Sequence, residues 1–259
     1  MSRQQHIVAF GGGVDSTAMV LGMYERGMPI DLILFADTGG ERPETYTHID
    51  AFSAWLADHG LPAITIVKRT RKDGSLENLE EECYRSKNLP SIAYGFKSCS
   101  EKHKIRPQNK FLNHWQPAVA WWKTGAKCAK YIGYDAGESR RAENAAKSED
   151  TKYDRRYPLI DWGWEREDCL DTIKKHGINN VSKSACFFCP SSKKKEIIEL
   201  YEKHPNLIER AIAMEKRAEL TSIKGLGRNY AWGTIIEAHK AQDPFPFYVG
   251  FDTPCGCTE

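Results

Sequence analysis

Short apolar runs alternate with amphipathic stretches through the first third of the chain. Three runs have the length and composition of buried strands, and two segments between them have helical spacing. The predicted strands are His6–Phe10, Leu32–Ala36 and Ala63–Val67, and the predicted helices are Ser16–Arg26 and Glu44–His59. Because a strand–helix–strand–helix–strand order requires helical crossovers, the strands should be parallel. The sequence therefore predicts an α/β fold, with a parallel sheet and helices on both faces.

The pattern changes in the second half of the chain. One more strand, Lys130–Tyr134, is expected to extend the sheet after a less regular stretch over residues 70–125. The helical segments that follow are Arg166–Lys175, Ser192–His204, Leu207–Leu220 and Tyr230–Lys240, and the chain ends in a tail rich in proline and aromatic residues, Asp243–Glu259. We therefore expect an α/β domain over residues 1–165 and a mostly helical C-terminal region over residues 166–259.

Composition narrows the class of protein. The chain has 259 residues, 41% of them hydrophobic and 28% charged, which is typical of a soluble globular protein of one or two domains. No apolar run approaches the ~18 residues of a membrane span, and the apolar stretch Ile7–Phe10 is too short for a secretory signal. The net charge of +2 supplies no strong overall field for nucleic acid, so such an affinity needs a local basic patch. These features predict a cytoplasmic protein with no membrane partner.

A glycine-rich turn directly follows the first strand. Residues 11–16 have the sequence Gly-Gly-Gly-Val-Asp-Ser, and an apolar helix begins beside them. Backbone N–H groups and the positive end of a helix dipole meet at such a junction, which suits a phosphate group. A Walker A loop would end in Gly-Lys-Ser/Thr, and a dinucleotide-binding turn would need glycine in place of Ser16, so neither pattern fits. The alternative without a ligand is a helix N-cap preceded by a tight turn.

The turn resembles the PP-loop of the ATP pyrophosphatases, whose pattern is Ser-Gly-Gly-x-Asp-Ser, with Gly11 in place of the leading serine. The resemblance implies an adenine nucleotide alpha-hydrolase-like fold in which this loop binds the pyrophosphate end of ATP together with Mg²⁺. Asp15 and Ser16 are then candidate catalytic residues. The implied nucleotide contacts in and around the turn are Phe10, Gly11, Gly12, Gly13, Asp15, Ser16 and Thr17.

Further segments resemble the phosphoadenosine phosphosulfate reductase-like branch of the PP-loop proteins. They are residues 34–45, 132–141 and 157–162. The resemblance implies nucleotide contacts from Ala36, Asp37, Thr38, Gly133 and Arg140. Arg140 and Arg141 would stabilise the departing pyrophosphate, since guanidinium groups are permanently charged, planar donors. The reductases of this branch have a degenerate loop, so the nearly intact loop of this chain favours ATP over a sulfonucleotide.

The eight cysteines are better explained by metal, cluster or catalytic chemistry than by disulfides, because disulfide-dense scaffolds are short secreted chains. Cys186 and Cys189 form a C-x-x-C pair in a segment expected to be non-helical, and their spacing lets both sulfurs meet one metal centre. The alternatives are a pair of buried small residues and a redox dithiol. Upstream, Cys99 begins a Cys-x-x-x-x-Lys-x-x-Pro segment that resembles the cluster-bearing members of the branch.

That resemblance implies a [4Fe-4S] cluster bound by Cys99, Cys186 and Cys189. The candidates for the fourth ligand are Cys255, Cys257, Cys83 and Cys128, or else the fourth iron stays open. We take Cys255 as the expected ligand and Cys257 as a candidate catalytic, sulfur-carrying thiol, since both lie on the C-terminal tail.

Two alternatives remain for the thiols. Zn²⁺ in a Cys₄ site would use the same residue types as the cluster, and spacing does not separate the two. Cys83, Cys128 and Cys169 fit ordinary core thiols, with Cys83 and Cys128 as reserve ligands.

Basic residues follow both cysteine segments. Lys102, Lys104 and Arg106 come after Cys99, and Lys193–Lys195 come after the C-x-x-C pair. If the cysteines converge, these charges form a local basic rim that suits phosphates. Solvated helix starts are the alternative interpretation.

These features together predict an ATP-dependent sulfurtransferase that adenylates an oxygen of its acceptor and then lets sulfur displace AMP. The resemblance implies a nucleic acid or a nucleotide as the acceptor, as in DNA phosphorothioation proteins and nucleoside thiolases, and it allows a sulfur-donor protein as a partner. One alternative is a thiol-dependent sulfonucleotide reductase with Cys255 or Cys257 as the nucleophile. The other is a non-catalytic nucleotide-binding regulator, since a fold does not establish chemistry.

Overall fold

The structure, a computed structural model, describes residues 3–90, 92–93, 96–146, 150–179 and 181–241. Its strands are β1 (His6–Phe10), β2 (Leu32–Asp37), β3 (Ile64–Lys68), β4 (Ile92–Ala93), β5 (Phe96–Lys97), β6 (Cys128–Ile132) and β7 (Tyr153–Arg156). Five of them form one sheet in the order β3-β2-β1-β6-β7, and every neighbouring pair in it is parallel. Strands β4 and β5 form a separate antiparallel pair. The predicted α/β fold with a parallel sheet is confirmed.

The centre of the sheet is buried on both faces. All positions of β2 are buried, as expected for a parallel strand with both faces covered, and β1 pairs with β2 on one side and β6 on the other. Strand β1 has the predicted bounds, and the other three predicted strands differ from the observed ones by one or two residues.

Helices cover both faces of the sheet. They are α1 (Val14–Glu25), α2 (Pro43–Asp58), α3 (Leu79–Ser86), α4 (Ser98–Ser100), α5 (Arg106–Leu112), α6 (Gln116–Trp122), α7 (Ser139–Ala146), α8 (Pro158–Asp161), α9 (Arg166–Lys175), α10 (Lys194–Lys203), α11 (Pro205–Arg217) and α12 (Trp232–Lys240). A π-helical turn, Glu101–Ile105, joins α4 to α5. Helices α1, α2, α8 and α9 pack in the core on one face, and α5 and α6 pack in the core on the other. Within the described ranges, no helix is both long and apolar enough to cross a membrane.

A second apolar core joins the last three helices to α3. Its buried residues include Cys83 of α3, Phe187 and Phe188 of the C-x-x-C segment, and Trp232 of α12. The buried carboxylate of Glu215 on α11 organises this region, because it accepts hydrogen bonds from three backbone N–H groups between residues 226 and 233. The domain boundary between residues 165 and 166 stays a prediction. Helix α9 follows that boundary and packs against α1, whereas α3 precedes it and packs in the second core.

Several elements of the fold are absent from the sequence prediction, including helices α7 and α8. Strand β7 has the sequence Tyr-Asp-Arg-Arg and lies at the edge of the sheet, where only Tyr153 is buried and the apolar alternation is weak. The irregular stretch over residues 70–125 contains α3, α5 and α6, which have eight, seven and seven residues. Helices of two turns are too short to show a clear period.

Candidate functional site

A cleft of about 940 Å³ opens at the carboxyl edge of the sheet, beside the junction of β1 and β6. The chain runs outward from β1 to β3 and returns on the other side of β1 as β6, so the strand order reverses at this point. Open α/β sheets bind ligands in the crevice outside such a switch point. The glycine turn, parts of residues 97–109 and parts of residues 183–192 line the cleft together, although they are far apart in sequence.

The glycine turn is held in place by close backbone packing. Gly12 has a φ of +73°, which favours glycine, and a Cβ there would lie 3.0 Å from Thr45 Cγ2. Gly13 is the N-cap of α1 and has no side chain to satisfy the first N–H groups of the helix. Gly133, just after β6, packs on the same turn, since a Cβ there would lie 3.0 Å from the backbone N and Cα of Ser16. The turn therefore offers backbone N–H groups and the helix dipole to an anion.

Most of the predicted nucleotide contacts line the cleft. They are Phe10, Gly11, Gly13, Asp15, Ser16, Ala36, Thr38 and Gly133. Thr17 instead is fully buried, donates a hydrogen bond to Gly13 O (2.8 Å) and lies 2.9 Å from His48 Nε2. Asp37 stabilises the loop after β2, because its Oδ1 accepts hydrogen bonds from the Gly39 N–H (2.7 Å) and the Tyr46 hydroxyl (2.8 Å).

The paired arginines after β6 have different positions. Arg141 lines the cleft, forms an ion pair with Glu138 and places its guanidinium 4.3 Å from the ring centroid of Tyr134. Arg140 is exposed and does not line the cleft, and neither does Gly12. Of the two predicted arginines, Arg141 is thus the one positioned to meet a bound nucleotide.

Asp15 lies in a group of charged side chains at the start of α1. Its Oδ1 accepts a hydrogen bond from Arg166 at 2.8 Å, and both residues line the cleft. Burial raises the pKa of Asp15, the Arg166 guanidinium opposes that shift, and Asp135 and Glu138 add to it through repulsion. Asp135 and Glu138 therefore lie close enough to Asp15 to influence it, beside the glycine turn. Mg²⁺ in nucleotide sites is commonly held by one or two carboxylates and the phosphates themselves, so this donor set fits that ion.

The three cysteines predicted as ligands line the same cleft. Cys99 lies on α4, and Cys186 and Cys189 lie in a turn in which the Cys189 N–H donates to Cys186 O at 3.0 Å. The turn is fixed to the loop after β2, because the Phe187 N–H donates to Gly40 O at 2.8 Å. The C-x-x-C segment is non-helical, as its sequence predicts.

A buried carboxylate lies behind this turn. Glu41, which is only 3% exposed, accepts hydrogen bonds from Lys104 Nζ (3.1 Å) and Ser184 Oγ (3.2 Å). Thr38 Oγ1 lies 3.2 Å from Cys186 Sγ and 3.4 Å from Glu41 Oε1. Burial raises the pKa of the Cys186 thiol, Glu41 raises it further, and Lys104 opposes both effects. Burial alone would lower the pKa of Lys104, but the carboxylate of Glu41 outweighs it and raises that pKa.

The cysteine side chains that line the cleft are suited to bind metal as thiolates. No three His, Cys, Asp or Glu side chains among the described residues converge as they would on a single metal ion. In a [4Fe-4S] cluster each cysteine binds a different iron atom, so its thiols lie around the cluster and do not converge on one ion. Cys99, Cys186 and Cys189 all line the cleft, and Cys189 is near enough to the other two to influence their pKa values. The expected ligand Cys255 and the expected thiol Cys257 lie outside the described residues.

The remaining cysteines are buried in the cores. Cys128 and Cys169 are fully buried on opposite faces of the sheet. Cys83 is buried on α3, where burial and the nearby Glu82 and Cys99 raise its pKa to about 12. Of these three, only Cys83 adjoins the predicted ligands, because Cys99 packs against the core that contains it.

Two residues of the site have no counterpart among the sequence predictions. Arg166 begins α9, about 150 positions after its partner Asp15, and Glu41 follows β2 in a loop. No local pattern links either residue to the cleft. Lys104 has such a signal, because it is the lysine of the Cys-x-x-x-x-Lys segment, but the sequence places it only in a basic rim.

Among solved structures, this chain is similar to the "U34-tRNA thiolase NcsA from Methanococcus maripaludis with its [4Fe-4S] cluster". The two chains share 16% sequence identity, the alignment covers 83% of this chain and 73% of that one, and the TM-score is 0.41. At this TM-score the similarity carries no ligand or substrate over to this chain. No curated protein matches the sequence.

The family model of the phosphoadenosine phosphosulfate reductase domain matches residues 5–182. The matched region contains the parallel sheet, the glycine turn and Cys99, and it ends four residues before Cys186. The C-x-x-C pair and helices α10 to α12 therefore lie beyond the part that the family model describes. Since the match covers well over half of the chain, the protein belongs to the phosphoadenosine phosphosulfate reductase domain family of PP-loop proteins.

Proposed function

We propose that this protein is an ATP-dependent sulfurtransferase of the PP-loop type. The observation that carries the proposal is that the glycine turn and three cysteine thiols open onto one cleft. A nucleotide bound at the turn and a sulfur atom held at the thiols would then reach the same acceptor. The acceptor we propose is a nucleic acid or a nucleotide, because basic side chains such as Lys97 and Lys183 also line the cleft.

In the proposed first step, an oxygen of the acceptor attacks the α-phosphorus of ATP, and the bond to the pyrophosphate oxygen breaks. The products are an adenylated acceptor and pyrophosphate. The glycine turn and the N-terminus of α1 would bind the departing pyrophosphate through backbone N–H groups. Arg141 and Arg166 line the cleft and would neutralise charge on it, while Asp15 and Asp135 would hold Mg²⁺ against the phosphates.

In the proposed second step, sulfur attacks the atom that bears the adenylated oxygen, a base carbon or a backbone phosphorus, and AMP leaves with that oxygen. Adenylation is needed because it converts a poor leaving group into a good one. Cys99, Cys186 and Cys189 would bind a [4Fe-4S] cluster, which would hold the sulfur to be transferred. Lys104 lies close enough to Cys186 and Cys189 for their charges to interact, so its ammonium would offset the negative charge of bound thiolates. Glu41 would keep Lys104 in place through the 3.1 Å ion pair.

The test is to follow radiolabelled ATP with protein purified without oxygen, in the presence of sodium sulfide as the sulfur source and mixed tRNA or DNA. We expect release of AMP and pyrophosphate that depends on the nucleic acid, and sulfur in the recovered polymer. An inactive protein that still binds ATP would support the regulator instead, since the same pocket serves both functions.

The family match favours one alternative, a sulfonucleotide reductase. That enzyme would release sulfite from phosphoadenosine phosphosulfate in the presence of a dithiol and would not hydrolyse ATP. Sulfite release without AMP formation from ATP would therefore contradict the sulfurtransferase and establish the reductase. The same preparation serves both assays.

The position of the missing serine provides a test of the turn itself. A Cβ on Gly11 would contact only Ser16 Oγ, at 3.7 Å, whereas a Cβ on Gly13 would lie 3.3 Å from both Cβ and the backbone N of Ser184. We expect Gly11→Ser to bind ATP at least as tightly as the natural chain, because the hydroxyl adds a phosphate contact. We expect Gly13→Ala to weaken binding by about a few-fold, because Ser184 and the turn must separate by a few tenths of an ångström. Titration calorimetry with ATP measures both, and equal effects would mean that the turn does not bind the phosphates.

A further inference from the structure

Lys130 lies on the floor of the cleft, away from the glycine turn. Side chains alternate along β6, so its neighbours Ala129 and Tyr131 enter the core on one face while Lys130 lies on the other. Tyr153 of the adjacent strand β7 is on the same face, and its ring centroid is 4.9 Å from Lys130 Nζ. Both residues line the cleft, and so do Gln108 and Asn109 of α5.

The polar groups of this pair have no hydrogen-bond partner in the described part of the chain. The Lys130 ammonium makes no ion pair or hydrogen bond there, and it lies over the face of the Tyr153 ring. Tyr153 is 7% exposed, and its hydroxyl is buried with nothing to bond to. A cation and a hydroxyl without hydrogen-bond partners beside a cavity raise the free energy of the folded protein, unless a bound ligand supplies those partners.

The nearest carboxylate does not complete them. Asp150 Oδ1 accepts hydrogen bonds from the backbone N–H groups of Lys152 (2.9 Å) and Tyr153 (3.2 Å), and its Oδ2 accepts one from Arg155 (2.9 Å). Burial lowers the pKa of Lys130 to about 8, Asp150 opposes that shift, and Arg155 adds to it. The amine is therefore an electropositive group whose charge the protein itself balances incompletely.

We propose that Lys130 and Tyr153 form an oxyanion-binding site, separate from the glycine turn, for a phosphate, sulfate or carboxylate group of a substrate. The ammonium supplies charge, the phenol supplies a hydrogen bond, and the amides of Gln108 and Asn109 face the same space as further donors. Lys130 precedes Gly133 by three residues, which is roughly 10 Å along a strand. One extended molecule, or two neighbouring ones, would therefore span the turn and this site. Only the role of the anion as part of a substrate rests on the proposed function, since binding itself requires no turnover.

The test is protection of the Lys130 amine from an acylating reagent, measured by mass spectrometry of the full-length protein after digestion. The probes are inorganic sulfate, adenosine 3′,5′-bisphosphate and AMP, each compared with sodium chloride at equal ionic strength. Lys152, an exposed lysine on the same side of the sheet, is the internal control. We expect sulfate to slow acylation of Lys130 by about tenfold and to leave Lys152 unchanged, as for one charge-assisted contact.

Variants separate this site from the turn and from general damage. Measured by titration calorimetry, Lys130→Met should abolish the binding of sulfate yet change the affinity for ATP by less than about twofold, and Lys130→Arg should retain both. Tyr153→Phe should weaken sulfate binding by a few-fold, since one neutral hydrogen bond is lost. Protection by adenosine 3′,5′-bisphosphate alone would show that the anion belongs to a nucleotide, and protection by sulfate alone that a free anion suffices. Equal protection of Lys152, or none of Lys130 with any probe, would overturn the proposal.

Discussion

Replacing Asp15 with alanine is expected to reduce the formation of AMP and pyrophosphate by about 100-fold or more, the order seen when a preorganised charged or polar group is removed from a reacting centre. Asp15 lies in the glycine turn, lines the cleft and holds Arg166 through a 2.8 Å hydrogen bond. The alanine variant loses a carboxylate for Mg²⁺ and leaves Arg166 free to move. Release of AMP and pyrophosphate from labelled ATP measures the effect.

Two comparisons locate the cause of that loss. Arg166→Met should cost less than Asp15→Ala, because Arg166 is 46% exposed and Arg141 also lines the cleft to neutralise the pyrophosphate. A pH profile supplies the second comparison, since burial raises the pKa of Asp15. The ionised carboxylate is the form that binds Mg²⁺, so activity should fall as the pH drops, and a higher Mg²⁺ concentration should move that fall to lower pH. An Asp15→Asn variant with full activity would contradict this role.

The parts of the site that local sequence predicts are those built from consecutive residues. The strand, the three glycines and the start of α1 are adjacent in the chain, so their periodicity and turn chemistry are visible without a fold. The same holds for the Cys186–Cys189 turn, whose non-helical backbone follows from its spacing and Pro190. Once the order of strands is predicted to be parallel, the turn falls at their carboxyl edge.

The parts that the sequence does not predict arise from tertiary contacts. Arg166 reaches Asp15 because α9 packs against α1, and Glu41 lies under Cys186 because two loops pair. Lys130 belongs to a strand whose start the pattern places two residues too late, and its partner Tyr153 lies on an edge strand with little apolar alternation. Periodicity reports burial along one element, and these contacts depend on how elements pack against one another.

Removing one of the cleft cysteines is expected to separate the two halves of the site. In protein purified without oxygen, we expect about four iron and four sulfide per chain, the content of one [4Fe-4S] cluster. Cys186→Ala should lose most of both, since Cys186 belongs to the C-x-x-C turn that is fixed to the loop after β2. ATP binding should be retained, because the glycine turn depends on Gly12, Gly13 and Gly133.

The matched control for that variant is Cys169→Ala, which removes a fully buried thiol in the first core. It should keep the iron, and its free energy of unfolding should fall by about 1 kcal/mol, as when a small group is deleted from a core. An unchanged iron content in Cys186→Ala would mean that the cysteines are not ligands. One zinc per natural chain would indicate a structural zinc site instead of a cluster. If Asp15→Ala and Cys186→Ala each lost both ATP binding and iron, the two would report unfolding, and the division of the cleft into a nucleotide end and a thiol end would be wrong. The arrangement of the cleft predicts a different result. Cys186→Ala should lose iron and keep ATP binding, and Asp15→Ala should lose AMP formation and keep iron.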